Sequence, residues 1–437
     1  MFYYVLTVRE ERMAEPLDDQ IAAATAWEKL LDRIREVEGL EDFLKPPRLD
    51  DLRPTVEGPV VMVNVGRARC DALVVSATDV LPVPLPGLTT ASLRRTAGDY
   101  LTAVHVVEAA RAQLFELHRR LVEGDPDPEV FGAYEDLRFE LTERIEPALE
   151  KTLRHTLGWL WDVVAEPVLT ALDLQPHHGP GAPRIWWCPS GLLTLLPLHA
   201  AGHHDQPGRS VLDRVVSSYT PSLRVLRRAS RPRARDDGGG PGRMLVVTLP
   251  HTPGQAPLPN SAAERRLLEE LFEIDRRTVL EDSAATRDRV RTELRTHRYI
   301  HLSCHGTQDL ANPSLARVLL ADGPLSVADL VADGFEAEFA FLSACKTATG
   351  GVSLPDEVIT LASAVHHLGA RHVIATLWSV SDPAAGFVAD RLYRKLTEDG
   401  DFDPDGAARA LHAAVLDLRD RHRDRPGIWL PFTHTGP

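Results

Sequence analysis

Two apolar stretches of this chain each end in a residue able to do nucleophilic chemistry. Tyr299-Ile300-His301-Leu302-Ser303 runs into Cys304-His305-Gly306, and Phe339-Ala340-Phe341-Leu342-Ser343 runs into Ala344-Cys345-Lys346. Cys345 follows His305 by 40 positions. A free thiol with a pKa of ~8.5 is mostly protonated at neutral pH, so a cysteine nucleophile needs a base beside it. An imidazole fills that role and can later protonate the leaving amine. Gly306 has no side chain, so its backbone N–H can approach a substrate closely; with the N–H of Cys345 it could hold a tetrahedral oxyanion. Together these are the parts needed for amide cleavage, with His305 as general base and Cys345 as nucleophile.

Each residue also has a plainer role. A cysteine at a strand end is ordinarily a small buried hydrophobe, and a histidine there is ordinarily a satisfied polar group. What favours chemistry is the joint pattern, a strand ending in His-Gly and a strand ending in Cys within one alternating domain. A metal site through His301, Cys304 and His305 fails on geometry, because strand alternation sends 301 and 304 to opposite faces. No metal is expected at these residues. His366-His367 is read as surface and packing on a helix, His203-His204 as loop, and Trp186-Trp187 as core.

Positioning the pair requires two strands adjacent in a parallel sheet, ~4.8 Å apart. From Met244 onward the pattern supplies such a sheet: strands at 244–249, 277–280, 299–303, 339–343 and 372–377 alternate with helices at 261–272, 286–296 and 357–368, and two helices close the sequence. In open sheets of this kind, chemistry gathers at the carboxyl ends of strands. Upstream, apolar residues at helical spacing (Ile21, Ala24, Trp27, Leu30, Leu31, Ile34) predict a packing helix over 17–38. Two β-prone runs, 60–65 and 72–75, flank a hairpin-like turn. Long helices follow over 92–123 and 132–172, broken by Asp125-Pro126-Asp127-Pro128, and a buried strand over 184–188. Residues 231–242 hold four glycines and two prolines among charges and read as a linker. The expected organisation is an N-terminal helical segment over 1–57, a first half over 58–230, the linker, and a catalytic half over 243–437.

Composition excludes other classes. Of the 437 residues, 43% are hydrophobic and 26% charged, and no apolar run approaches the ~20 residues of a membrane span. The formal charge of −14 repels a phosphate backbone, so neither nucleic acid nor membrane is an expected partner. Four cysteines without a Cys-x-x-Cys pair argue against both a disulfide framework and structural zinc, and fit a reducing cytoplasm; the N-terminus lacks the basic flank and apolar core of a secretory signal.

The texts HLSCHG, FLSACKTATGG, RHVIATLWSVSD and WLPF, preceded by IWWCPSGLLTLLPLHAAG, VSSYTPSLRVL and LPNSAAE, resemble the CHAT domain, a caspase-like family related to caspases and separases. The resemblance runs from about Trp186 to the end and, less sharply, back to about Trp27. It implies an α/β caspase-like fold, a mostly parallel sheet flanked by helices, with a pseudo-caspase-like first half. It also implies a cysteine peptidase whose dyad is His305 and Cys345 and which works without a cofactor. Lys346 stands where an acidic residue is common, beside the nucleophile. In separases the acidic residue matching Asp382 receives a basic P1 side chain, which makes Asp382 a candidate for the S1 pocket, with Asp309 after the histidine loop as a second. Asp382 could equally cap a helix starting at Pro383. CHAT domains often follow helical repeats, which are missing here; either a separate protein supplies activation or the chain is a truncation of a longer one. A protein or peptide substrate is the expected partner. The alternatives are a caspase-shaped binding scaffold and a small-molecule amidase.

Overall fold

The computed structural model describes residues 17–437 apart from 38, 42, 46, 125–126, 178, 180, 232–241, 253–254, 308–316, 327–328, 330–335, 344–364, 367–368 and 379. The chain forms two compact units, 1–52 and 53–437. In the first, the expected helix spans Leu17–Arg35. Its apolar stripe does not become a core: Leu31 is buried, but Ile21, Trp27 and Leu30 are exposed. Helical periodicity reports an apolar face, and not that anything lies on it.

The second unit opens with the anticipated hairpin, β1 (Val60–Val65) against β2 (Cys70–Val75). A further strand, β3 (Val80–Pro84), pairs with β2 at the edge of the sheet, where Pro82 and Pro84 are tolerated for want of an outer partner. A helix over Thr90–Glu123 starts in a reciprocal cap between Thr89 and Ser92. Asp127 caps the next helix, which begins at Pro128. This second helical run reaches Ala171 through two π turns, Leu141–Ile145 and Trp161–Ala165, each just ahead of a proline, Pro147 and Pro167. A proline inside a helix cannot donate to the carbonyl four residues back, and its ring crowds that carbonyl. One extra residue in the turn relieves the crowding, and the N–H of Glu146 bonds to the Leu141 carbonyl instead.

The remaining strands are β4 (Arg184–Pro189), β5 (Val216–Tyr219), β6 (Met244–Thr248), β7 (Arg277–Glu281), β8 (Tyr299–Ser303), β9 (Gly306–Thr307), β10 (Arg317–Leu320), β11 (Gly323–Ser326), β12 (Ala337–Leu342), β13 (Ala370–Thr376) and β14 (Phe432–Thr435). Of the fourteen strands among the described residues, eleven form one sheet in the order β3-β2-β1-β4-β5-β14-β13-β12-β8-β6-β7. Pairing is parallel except at β3–β2, β2–β1 and β14–β13. The fold is therefore an α/β fold with a mostly parallel sheet flanked by helices. β9, β10 and β11 make a small separate sheet. Of the helix expected at 357–368, all but 365–366 lies outside the described residues, as does nearly all of 231–242.

Alternation along the central strands sorts the core into two layers. Val246, Tyr299, Phe339, Phe341 and Ile374 face the layer holding Leu268 of the Ser261–Leu271 helix and Tyr393 of the Asp382–Leu396 helix. Val247, Ile300, Leu302, Leu342 and Val373 face a second layer with Val290 and Leu294 of the Arg287–Leu294 helix. Both faces are buried, which is why these strands read as unbroken apolar runs. The two halves of the sheet meet where β14 inserts between β5 and β13. Trp186, fully buried, donates its indole N–H to the Gly436 carbonyl at 2.7 Å across that seam. Gly436 has φ +137°, and a Cβ there would strike the Arg371 carbonyl, so only glycine fits.

Candidate active site

The sheet brings the two reactive strand ends together. β8 and β12 are parallel neighbours, with Phe341 opposite His301 and Leu342 opposite Leu302. The ladder continues one step further, as the Ser343 N–H donates to the Leu302 carbonyl at 2.9 Å. The register offset is 40 positions, the same as the separation of His305 and Cys345 along the chain. Cys345 lies outside the described residues, and so does Asp309. β13 runs beside β12 on the other side, as expected from the sequence. The helix after it begins at Asp382 with Ser381 in the N-cap position, one residue earlier than the cap reading assumed; the Asp382 side chain is outside the described part.

His305 is 6% exposed and held from two sides. Its ring Nε2 lies 2.7 Å from the Ala256 carbonyl. A carbonyl only accepts, so Nε2 carries the hydrogen and, in the neutral ring, the lone pair sits on Nδ1. The backbone is fixed by the small sheet: the Leu319 N–H donates to the His305 carbonyl at 2.7 Å, and Gly306 pairs with Val318. His305 thus stands at the fork where the chain leaves the large sheet for the small one, with both its ring and its backbone held.

Beneath that fork lies a buried polar cluster that the sequence reading passed over. Glu264, 3% exposed on the Ser261–Leu271 helix, accepts from Ser343 Oγ at 2.7 Å and pairs with His301 Nε2 at 3.1 Å. The Tyr393 hydroxyl is 3.0 Å from His301 Nδ1. Burial alone would raise the Glu264 carboxyl. The hydrogen bond and charge of His301, with the hydroxyls of Ser303 and Ser343, more than offset it and hold the group below the usual glutamate range. Burial pushes the Tyr393 phenol well above its ordinary value, keeping it a donor. A signal was available: Glu264 sits three and four residues before Leu267 and Leu268, so a carboxylate occupies the apolar face of an amphipathic helix.

The other histidines and cysteines fall as follows. His301 stacks on Phe341 in the first core layer, and Cys304 is buried in the second, so the two do face apart. His203 and His204 lie in a loop, with His204 bonded to the Ala200 carbonyl. His366 departs from its surface reading, since it is 2% exposed and its Nδ1 lies 2.7 Å from the Ala370 carbonyl. Trp186 and Trp187 are core, as expected.

The CHAT domain family model matches residues 154–437. The chain belongs to the CHAT family. That span reaches 32 residues upstream of the sharper motif text and takes in the helix that carries Trp161. No curated protein matches the sequence. Among solved structures, the separase of Saccharomyces cerevisiae in its complex with securin is similar in two crystal structures, at 3.0 and 2.6 Å resolution. In one the TM-score is 0.53 at 9% identity over 93% of this chain and 31% of the separase chain, and in the other 0.53 at 10% identity over 89% and 30%. The CHAT chain therefore spans about a third of the separase it matches. The Arg-specific cysteine proteinase gingipain R gives a TM-score of 0.43 at 11% identity, over 66% of this chain and 74% of its own. At such identities the separase likeness speaks for the fold, a caspase-like α/β architecture.

Proposed function

We propose that this CHAT protein is a cysteine endopeptidase in which His305 is the general base and Cys345 the nucleophile. The observation that carries the reading is the register of β8 against β12, whose offset equals the spacing of the two residues. Strand alternation adds to it. His305 and Cys345 each stand two residues beyond a serine, Ser303 and Ser343; Ser343 bonds to the Glu264 carboxylate, and Ser303 helps to keep that carboxyl ionised. Residues two apart on a strand share a face.

In this reading the Nδ1 lone pair of His305 takes the thiol proton, since Nε2–H is committed to the Ala256 carbonyl. The Cys345 thiolate attacks the scissile carbonyl carbon, and the oxyanion is held by the backbone N–H groups of Gly306 and Cys345. His305 then returns its proton to the leaving amine, giving a thioester, and water activated by the same ring releases the acid. A basic P1 side chain is received by Asp382, with Asp309 as a second carboxylate near the histidine loop. A partner protein that controls access fits the company of the separase fold, which was crystallised with securin.

The test is cleavage of peptide libraries by wild type, Cys345→Ala and His305→Ala, with sites read by mass spectrometry. Both variants should lose turnover while keeping their melting temperature, and the double variant should lose no more than either single one. Near wild-type turnover in either single variant refutes the dyad. Binding of peptides by the wild type without cleavage points to a scaffold, and turnover confined to small amides points to an amidase.

A further inference from the structure

We infer that Glu264 is a positioning residue for the reaction, tying the carboxyl ends of β8 and β12 to one point and so fixing the distance between base and nucleophile. The inference rests on the His305–Cys345 reading. Its geometry does not, because every group in the cluster is described.

Three side chains from the two strands converge on one carboxylate. Ser343, the residue after β12, donates its hydroxyl to Oε1 at 2.7 Å. His301 of β8 lies with Nε2 3.1 Å from Oε2, and the nearby Ser303 at the end of β8 helps to keep the carboxyl ionised. Glu264 fixes which nitrogen faces it: an ionised carboxylate only accepts, so His301 Nε2 carries a hydrogen, while Nδ1 lies 3.0 Å from the Tyr393 hydroxyl. The strands are already joined by backbone bonds up to Ser343 N–H, but the ladder goes no further among the described residues. Past that point His305 has its own supports, the Ala256 carbonyl and the small sheet, and the tie between the two strand ends is the one made through Ser343 and His301. Glu264 comes from a different element, the helix packed across this face, so it braces both strand ends against a third body. A carboxylate can accept from His301 and Ser343 on separate oxygens at once, whereas a hydrophobe cannot and an amide offers one oxygen. A buried carboxylate so costly to place is hard to account for as packing alone.

Reactions between positioned groups lose on the order of 10²-fold for displacements near 1 Å. The expected signature is thus a loss in kcat with KM preserved, since the substrate pocket is untouched. The experiment uses the full chain, a fluorogenic peptide that the wild type cleaves, and a peptidyl acyloxymethyl ketone to titrate reactive Cys345, located by peptide mapping. Glu264→Gln keeps size and removes the charge and one acceptor; Ser343→Ala removes a single tie. Expressed per titrated site, kcat should fall on the order of 10²-fold in Glu264→Gln and ~10-fold in Ser343→Ala, with KM within about twofold. A merely structural role would reduce the number of titratable sites and the melting temperature while leaving kcat per site unchanged, and that result overturns the inference. Should Glu264→Gln not fold, Ser343→Ala decides on the same criterion. If the wild type neither labels at Cys345 nor cleaves, the dyad fails and this inference falls with it; if it does both and the two variants match it, only the inference falls.

Discussion

Replacing His199 by glutamine should remove most of one proton from the uptake that accompanies unfolding near pH 5. His199 is 5% exposed, with Nδ1 2.9 Å from the Tyr219 hydroxyl and Nε2 2.9 Å from the Leu430 carbonyl. Burial drives its pKa down to about 4, outweighing the Leu430 carbonyl, which favours the charged ring. An unfolded histidine titrates near ~6.5. Between those values the unfolded chain binds a proton that the folded chain refuses. Stability from this group is therefore complete above ~6.5 and is lost as the pH falls toward 4. Midway, at a pH of about 5.2, the unfolded ring is about 95% protonated and the folded ring about 5%, so about 0.9 proton is taken up on unfolding. The full difference is worth about 3 kcal/mol. His204 and His412 are also pushed down to about 4 by burial, so total uptake belongs to several groups and only the difference between variant and wild type isolates His199. Calorimetry in buffers of different ionisation enthalpy reads that difference directly. The destabilisation caused by His199→Gln at pH 7 should also shrink by about 3 kcal/mol at pH 4. A proton difference below about 0.3, or a variant penalty independent of pH, would refute the assignment of a neutral buried His199.

Two further expectations bear on the site. Cys304→Ala should cost at most ~1–2 kcal/mol of stability, as a small group lost from the second core layer, and should leave turnover in place; a loss as deep as that of Cys345→Ala in the same peptide assay counts against the dyad. Asp382→Asn should lower kcat/KM for peptides with P1 arginine far more than it lowers the melting temperature, because a carboxylate pairs with a guanidinium bidentately and an amide does not. Equal kinetics in the variant, or wild-type cleavage after aspartate or apolar residues, sinks the S1 role.

The strands after Met244 were legible because they are buried on both faces and so write themselves as apolar runs: Ile300 and Leu302 face one layer, Tyr299 and His301 the other. The position of β13 beside β12 followed from the same pattern. β14 was not legible. Phe432-Thr433-His434-Thr435 is four residues long and mostly polar, and its burial is underwritten by contacts no local pattern announces: His434 Nδ1 lies 2.8 Å from Ser218 Oγ and Nε2 lies 3.2 Å from His372 Nδ1. β3 hid behind its two prolines, which argue against a strand unless the strand is an edge. Glu264 was quoted in a motif without a role, since a carboxylate on an apolar helix face declares its partners only when the sheet beneath it is known. The stripe of Ile21, Trp27 and Leu30 on the Leu17–Arg35 helix misled in the opposite direction, being regular in sequence and exposed in the fold.

The insertion of β14 between β5 and β13 carries a consequence for the order of assembly. Synthesised from the first residue onward, the chain completes β5 at Tyr219 and β13 at Thr376, and each then presents an unsatisfied row of backbone donors and acceptors. Neither row can close on the other, because the strand that belongs between them is still 55 residues away from Thr376. The helices over Asp382–Leu396 and Ala407–Arg421 must be made first. Until Phe432–Thr435 emerges, β8 and β12 belong to a sheet with a gap down its middle. The central sheet of this protein is thus closed by one of its last strands to be made, and its two halves are joined only after both have been synthesised.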